Sequence, residues 1–190
     1  MEVLFHFIFE LVKISILGCI YATLTLLTFK IIGRYKPDSW FDRVSKKKLR
    51  LWFLSGLLIS VGLFFYMFSY FGDHGLGDSA RVPVGHWRAI QEVNGTQAYI
   101  QDEGPVSMLE IDKFVIADNF VYGLTGEANE NYDGNYFAYD LANNSVKTFE
   151  QESDYFDFLT TKNLDIKPDY KDFSYYYRQH WSGWRFWILP

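Results

Sequence analysis

The stretch Leu51–Phe71, LWFLSGLLISVGLFFYMFSYF, runs for 21 residues without a charge. At 1.5 Å rise per residue, a helix of that length covers roughly 30 Å, the thickness of a bilayer's hydrocarbon core. A helix in a soluble core keeps a polar side over such a length, and this one has none. It reads as a transmembrane span over residues 51–71.

Toward the N-terminus a second span is expected over about residues 12–32. Ile14–Phe29 is uncharged and Val3–Phe9 is apolar, but Glu10 and Lys13 stand between them. On one helix His6, Glu10 and Lys13 fall at i, i+4 and i+7 and share a side. An ionisable group inside a membrane marks a functional site by default. Here the uncharged run begins just after Lys13 and still reaches the far side, so the reading is an interfacial pair that snorkels.

Between the spans, residues 34–50 hold Arg34, Lys36, Arg43, Lys46, Lys47, Lys48 and Arg50. Short basic loops stay in the cytoplasm, which places the N-terminus and the C-terminal domain outside it. Lys46, Lys47, Lys48 and Arg50 are the candidate membrane-surface residues, since such clusters attract anionic headgroups. Trp40 and Phe41 belong at the same interface.

Charge divides the chain in two. Residues 1–71 carry 9 Lys/Arg against 4 acids; residues 72–190 carry 9 against 19. The mean hydropathy of −0.08 averages over this split. An outer net of −10 excludes a basic nucleic-acid-binding domain and favours cationic partners. Cys19 is the single cysteine, so no intrachain disulfide is possible. Ile16-Leu17-Gly18-Cys19 resembles a lipobox only weakly, because the apolar run continues past the cysteine.

The domain over residues 72–190 reads as an antiparallel sheet of four to six strands with one or two C-terminal helices. Gly72, Gly75, Gly77, Pro83 and Gly85 mark an irregular start. Gln97–Gln101, Met108–Ala117, Phe120–Leu124, Tyr136–Leu141 and Val146–Phe149 are rich in Val, Ile, Tyr and Phe and bounded by turn formers. Asn143-Asn144 and Asp133-Gly134 read as turns. Ser153 is expected to cap a helix over 154–162, and residues 169–181 to form a second. The fold class is thus membrane-anchored α+β, two N-terminal transmembrane helices followed by a small antiparallel β-sheet domain.

Nine aromatic residues crowd the last 21 positions. They serve as core, as a strip on the outer leaflet, or as a partner-binding hot spot. Tyr176, Tyr177, Trp181, Trp184, Arg185 and Trp187 are the candidate partner-binding residues. Two other clusters have metal-binding chemistry. Asn129, Asn131, Asp133 and Asp140 place oxygen side chains at positions 1, 3, 5 and 12 of an EF-hand-like loop with Gly134 at position 6. Position 12 is one methylene short of the usual Glu, and the flanks read as strands. His74, Asp78 and His86 are N/O ligands without the helical spacing of a zinc site. The sequence contains no Walker A, GxGxxG or CxxC motif, and no cofactor is expected.

The expected function is non-enzymatic: a membrane-anchored interaction module, or accessory subunit of an envelope complex, in a bacterial inner membrane. Its partners would be the lipid bilayer and an envelope or membrane protein, with no nucleic acid. An extracytoplasmic ligand or calcium sensor is the alternative, followed by a metal-dependent envelope hydrolase or an immunity protein. The topology has a direct check. In a Cys19→Ala background, Ser153→Cys should react with an impermeant thiol reagent on intact cells, and Lys36→Cys only after permeabilisation. The reverse labelling would invert the orientation.

Overall fold

The computed structural model describes residues 2–72, 79–93, 95, 97–101, 108–127, 129 and 133–190. The chain is α+β and forms two compact units, Met1–Gly72 with Gly183–Pro190, and Asp73–Ser182.

In the first unit, α1 (Glu2–Tyr35) and α3 (Lys48–Met67) are both long and apolar enough to cross a membrane. α1 extends beyond residues 12–32 at both ends, because Glu10 and Lys13 fit on its side instead of ending it. α3 stops at Met67 and not at Phe71. The Ser69 amide and hydroxyl both donate to the Tyr66 carbonyl, at 2.9 and 2.7 Å, and so close the helix.

The two helices meet at small residues. Gly18 and Ala22 of α1 face Ser60 and Gly56 of α3, and a Cβ on Gly56 would sit 3.4 Å from that of Ala22. A Cβ on Gly18 would collide with the Ser60 hydroxyl. Such small-xxx-small pairs let helix backbones approach closely. Thr23, Thr25 and Thr28 return their hydroxyls to carbonyls one turn back, so these polar groups are satisfied within an apolar helix. The connection over 34–50 is folded and not an open loop. After Pro37, Ser39 caps the short α2 (Trp40–Lys46) by accepting from the Asp42 amide at 3.3 Å. The Trp40 and Phe41 rings pack edge-on against Phe29 at 5.5 and 5.2 Å.

The second unit is an antiparallel meander: β1 (Ser79–Gly85), β2 (Arg88–Val93), β3 (Gln97–Gln101), β4 (Met108–Ala117), β5 (Phe120–Thr125), β6 (Tyr136–Asp140) and β7 (Ser145–Phe149), in that spatial order. The irregular start expected before residue 85 is corrected for 79–85, which form β1. Pro83 is compatible with a strand there because β1 is an edge. β1 and β2 join through His86 and Trp87, both at positive φ (49° and 60°), the backbone of a type I′ turn. Asn and Gly signal such turns, so these two residues concealed the hairpin.

β4 organises the sheet. Met108–Ile111 pair with β3, and Lys113 and Phe114 pair along the same edge with β8 (Lys171–Asp172). The register against β5 slips between Ile111 and Lys113. This bulge inserts one residue, so Leu109, Ile111 and Phe114 all enter one core despite the change of parity. Gly123 of β5 lies opposite Phe114, and a Cβ there would come within 2.7 Å of the Phe114 Cα.

Each sheet side carries a core. One contains Val82, Ile90, Ile100, Phe114, Val121, Phe137 and Tyr139, closed by Phe173 of α5 (Phe173–Trp181). The other contains Tyr122, Ala138 and Phe149, covered by Tyr155 and Leu159 of α4 (Glu152–Thr161). α4 begins at Glu152, with Gln151 and not Ser153 in the capping position. The helix expected from 169 starts at Phe173, capped by Asp172, whose carboxylate accepts from the Tyr175 amide at 2.7 Å.

Burial raises the phenols of Tyr122, Tyr136, Tyr155, Tyr170 and Tyr176 above the ordinary value of 10.0. Above about pH 10 the unfolded chain releases protons that the fold retains, so stability falls as pH rises. The thermal midpoint of the detergent-solubilised chain should drop between pH 9 and 11. Tyr155→Phe removes the 3.1 Å hydroxyl contact with Tyr170. It should cost about 1 kcal/mol at pH 7 and make the alkaline decline shallower.

Candidate functional site

The six candidate partner-binding residues fall into two sets. Tyr176 stacks on Phe114 with centroids 4.7 Å apart, and its hydroxyl donates to the Phe114 carbonyl at 3.1 Å. Tyr177 packs against the same core and stacks with Phe173. Trp181 is 9% exposed, and its indole N–H donates to the Arg81 carbonyl at 2.7 Å. These three rings fasten α5 to the sheet, Trp181 buried and Tyr176 and Tyr177 half-buried.

Trp184, Arg185 and Trp187 belong to α6 (Trp184–Ile188), in the unit of the apolar helices. Trp184 and Trp187 are 63% and 74% exposed. The Arg185 guanidinium lies 5.5 Å from the Trp184 ring centroid. α6 is held against α1: the Tyr21 hydroxyl donates to the Ile188 carbonyl at 2.6 Å, and the Lys13 ammonium sits 4.7 Å over the Phe186 ring. The structure thus uses one half of the aromatic segment as core and turns the other half outward.

Lys13 belongs to the charged side anticipated on α1. Glu10 is 8% exposed and lies 4.0 Å from the His6 Nε2 and 3.9 Å from the Lys13 ammonium. One carboxylate oxygen of Glu10 and the His6 Nδ1 are buried without a hydrogen-bond partner.

At the other end of these helices, four of the basic residues meet. Arg43, Lys46, Lys47 and Arg50, with Trp40, Val44, Leu51 and Leu54, line a cavity of about 700 Å³. Asp42 and Lys46 share a 2.8 Å ion pair. That hydrogen bond holds the Asp42 carboxyl below the usual carboxylate range and the Lys46 ammonium above its ordinary value. Lys48 is exposed and does not line the cavity.

Two of the four EF-hand-like residues, Asn129 and Asp140, bond within the chain. The Asn129 side-chain oxygen accepts from the Glu110 amide at 2.8 Å, and its amide group donates to the Glu110 and Gly126 carbonyls. Asn129 therefore extends the edge of β4 as a strand would. Asp140 accepts from the Ala142 and Asn143 amides and from the Asn143 side chain, which builds the β6–β7 turn. Burial raises its carboxyl, but these three donors outweigh it and hold it below the usual range. Asp133 is exposed, and Asn131 lies outside the described residues.

Of the histidine cluster, His74 and Asp78 lie outside the described residues. His86 bonds Asn119 at 2.8 Å across two turns. Among the described residues no three His, Cys, Asp or Glu side chains converge on a point that would hold a metal. The chain matches no protein-family model, no curated protein and no solved structure.

Asp140→Ala should lower stability at pH 7 by about 1 kcal/mol. The loss should shrink as pH falls below about 4, where protonation weakens the wild-type turn as well. Millimolar calcium should leave the thermal midpoint of both proteins unchanged. An upward shift in the wild type alone would restore the calcium site.

Proposed function

We propose that this protein is a non-enzymatic, membrane-anchored docking subunit. In this reading α1 and α3 cross the bilayer, α2 lies on the cytoplasmic side, and the acidic sheet unit lies outside the cytoplasm. The anchoring is supported by α3, whose most apolar stretch has none of its residues buried within the chain. Twenty residues of such a helix in water would be costly, and lipid removes that cost. The orientation rests on the basic residues between the two helices.

The observation that carries the docking role is the outward half of the aromatic segment. α6 presents two exposed tryptophans with an arginine beside one of them, the residue types that dominate binding hot spots. Its carbonyl and ring contacts to α1 hold it in place without covering Trp184 or Trp187. The docking residues are therefore Trp184, Arg185 and Trp187, and the partner is a membrane protein whose segments pass beside α1. The acidic unit, with 8 Lys/Arg against 19 Asp/Glu over residues 73–182, favours a basic surface on that partner.

Truncating the whole aromatic segment would remove Tyr176 and Trp181 from the core, so point changes on α6 are the informative test. Gentle detergent extraction of the tagged chain should recover a companion at fixed stoichiometry. Trp184→Ala/Trp187→Ala should reduce that recovery at least tenfold and leave the thermal midpoint of the sheet unit within a few degrees. A wild-type chain that emerges alone, as monomer or homodimer, would overturn the docking role.

A further inference from the structure

We infer that the cavity between α2 and the first turns of α3 is a binding site for one anionic phospholipid, its phosphate held by Arg43, Lys47 and Arg50. The inference rests on the membrane anchoring proposed above and adds a defined lipid ligand to it.

Two kinds of lining meet in this cavity. Four side chains are cationic and four, Trp40, Val44, Leu51 and Leu54, are apolar. Among the described residues, only Lys46 is matched by an acid, Asp42 at 2.8 Å. Among the described residues Arg43, Lys47 and Arg50 have no ion pair with the protein. Three uncompensated cations around one concavity favour an anion, and guanidinium groups pair well with phosphate oxygens.

The apolar half restricts the class of anion. A free phosphate is fully hydrated and gains nothing from leucine walls. A phospholipid brings both chemistries on one molecule. Leu54 lies six residues beyond Lys48, about 9 Å deeper along α3 at the helical rise. Over roughly that depth a bilayer passes from headgroup to hydrocarbon. The cationic mouth thus matches the phosphate level, and Leu51 and Leu54 match the start of an acyl chain. A volume of about 700 Å³ accommodates a headgroup and the first methylenes of a tail. Basic pockets beside membrane helices on the cytoplasmic side recognise anionic headgroups by the same physics.

The distinction from diffuse attraction lies in which cations matter. Lys36 and Lys48 belong to the same basic segment but do not line the cavity. Removing either pair of charges lowers the net charge equally. Arg43 and Arg50 are themselves exposed, so neutralising them leaves the packing intact.

The test uses the full chain in nanodiscs of equimolar phosphatidylcholine and phosphatidylglycerol, followed by transfer to detergent and native mass spectrometry of retained lipid. The wild type and Lys36→Gln/Lys48→Gln should each retain one phosphatidylglycerol per chain. Arg43→Gln/Arg50→Gln should retain at least tenfold less. A 10 mM inorganic phosphate wash should not displace the lipid. Equal losses in both double variants would overturn the site and leave only diffuse attraction, and displacement by phosphate would reassign it to a soluble anion. Incorporation into pure phosphatidylcholine discs is the separate readout for anchoring. A chain that fails to incorporate there refutes the membrane reading, and one that incorporates but retains no phosphatidylglycerol refutes the lipid site alone.

Discussion

The sheet unit depends on the backbone of β4. Every strand needs partners for its amides and carbonyls, and β4 supplies them on both edges to three strands. One bulged residue after Ile111 makes this possible. It ends the pairing with β3, opens the edge to β8, and returns Phe114 to the core side. β8 then leads directly into α5, whose Phe173 closes the core that Phe114 anchors. Gly123 belongs to the same device, since the approach of β5 to Phe114 leaves no room for a side chain.

The helical unit obeys a different constraint. Its helices are apolar around most of their circumference, so burial alone does not select a contact face. Small residues do. Gly18, Ala22, Gly56 and Ser60 let the backbones approach, and the Trp52 indole N–H donates to the Thr23 hydroxyl at 3.1 Å. The charged groups sit apart, toward opposite ends of the pair. Glu10 with His6 and Lys13 occupies one end of α1, and the cations of α2 and early α3 occupy the other. This separation of charge along an apolar axis matches a bilayer's own order of water, headgroup and hydrocarbon.

Aromatic residues have two roles here, and composition does not distinguish them. A ring stabilises the fold when other rings and carbonyls enclose it, as Phe114 and Arg81 do for Tyr176 and Trp181. A ring offers binding energy when the fold holds its backbone and leaves its face uncovered. α6 has that second arrangement, because Tyr21 and Lys13 engage its Ile188 carbonyl and Phe186 ring while Trp184 and Trp187 remain exposed. The cavity lined by Trp40 is comparable, since helix geometry places its four cations and, among the described residues, only Lys46 is taken up by an internal acid, Asp42.

Sequence alone was sufficient for the two apolar helices, the basic segment between them, strands β3 to β7 and the Asn143-Asn144 turn. Each of these is a property of consecutive residues: an uncharged run, a local charge excess, a period of two, or an Asn that tolerates positive φ, as Asn144 does at 50°. The β1–β2 hairpin was not legible, because His86 and Trp87 adopt a turn that other residues usually signal. The roles of Asn129 and Asp140 were not legible either. Their oxygens suit a cation as well as they suit amides, and only the folded chain brings the Glu110 amide to Asn129. The same holds for the division of the aromatic segment and for the cavity that gathers Arg43 and Arg50. Tertiary structure decided these features because they depend on which distant groups share a surface, as Trp181 and Arg81 do across 100 residues, and no local period encodes that contact.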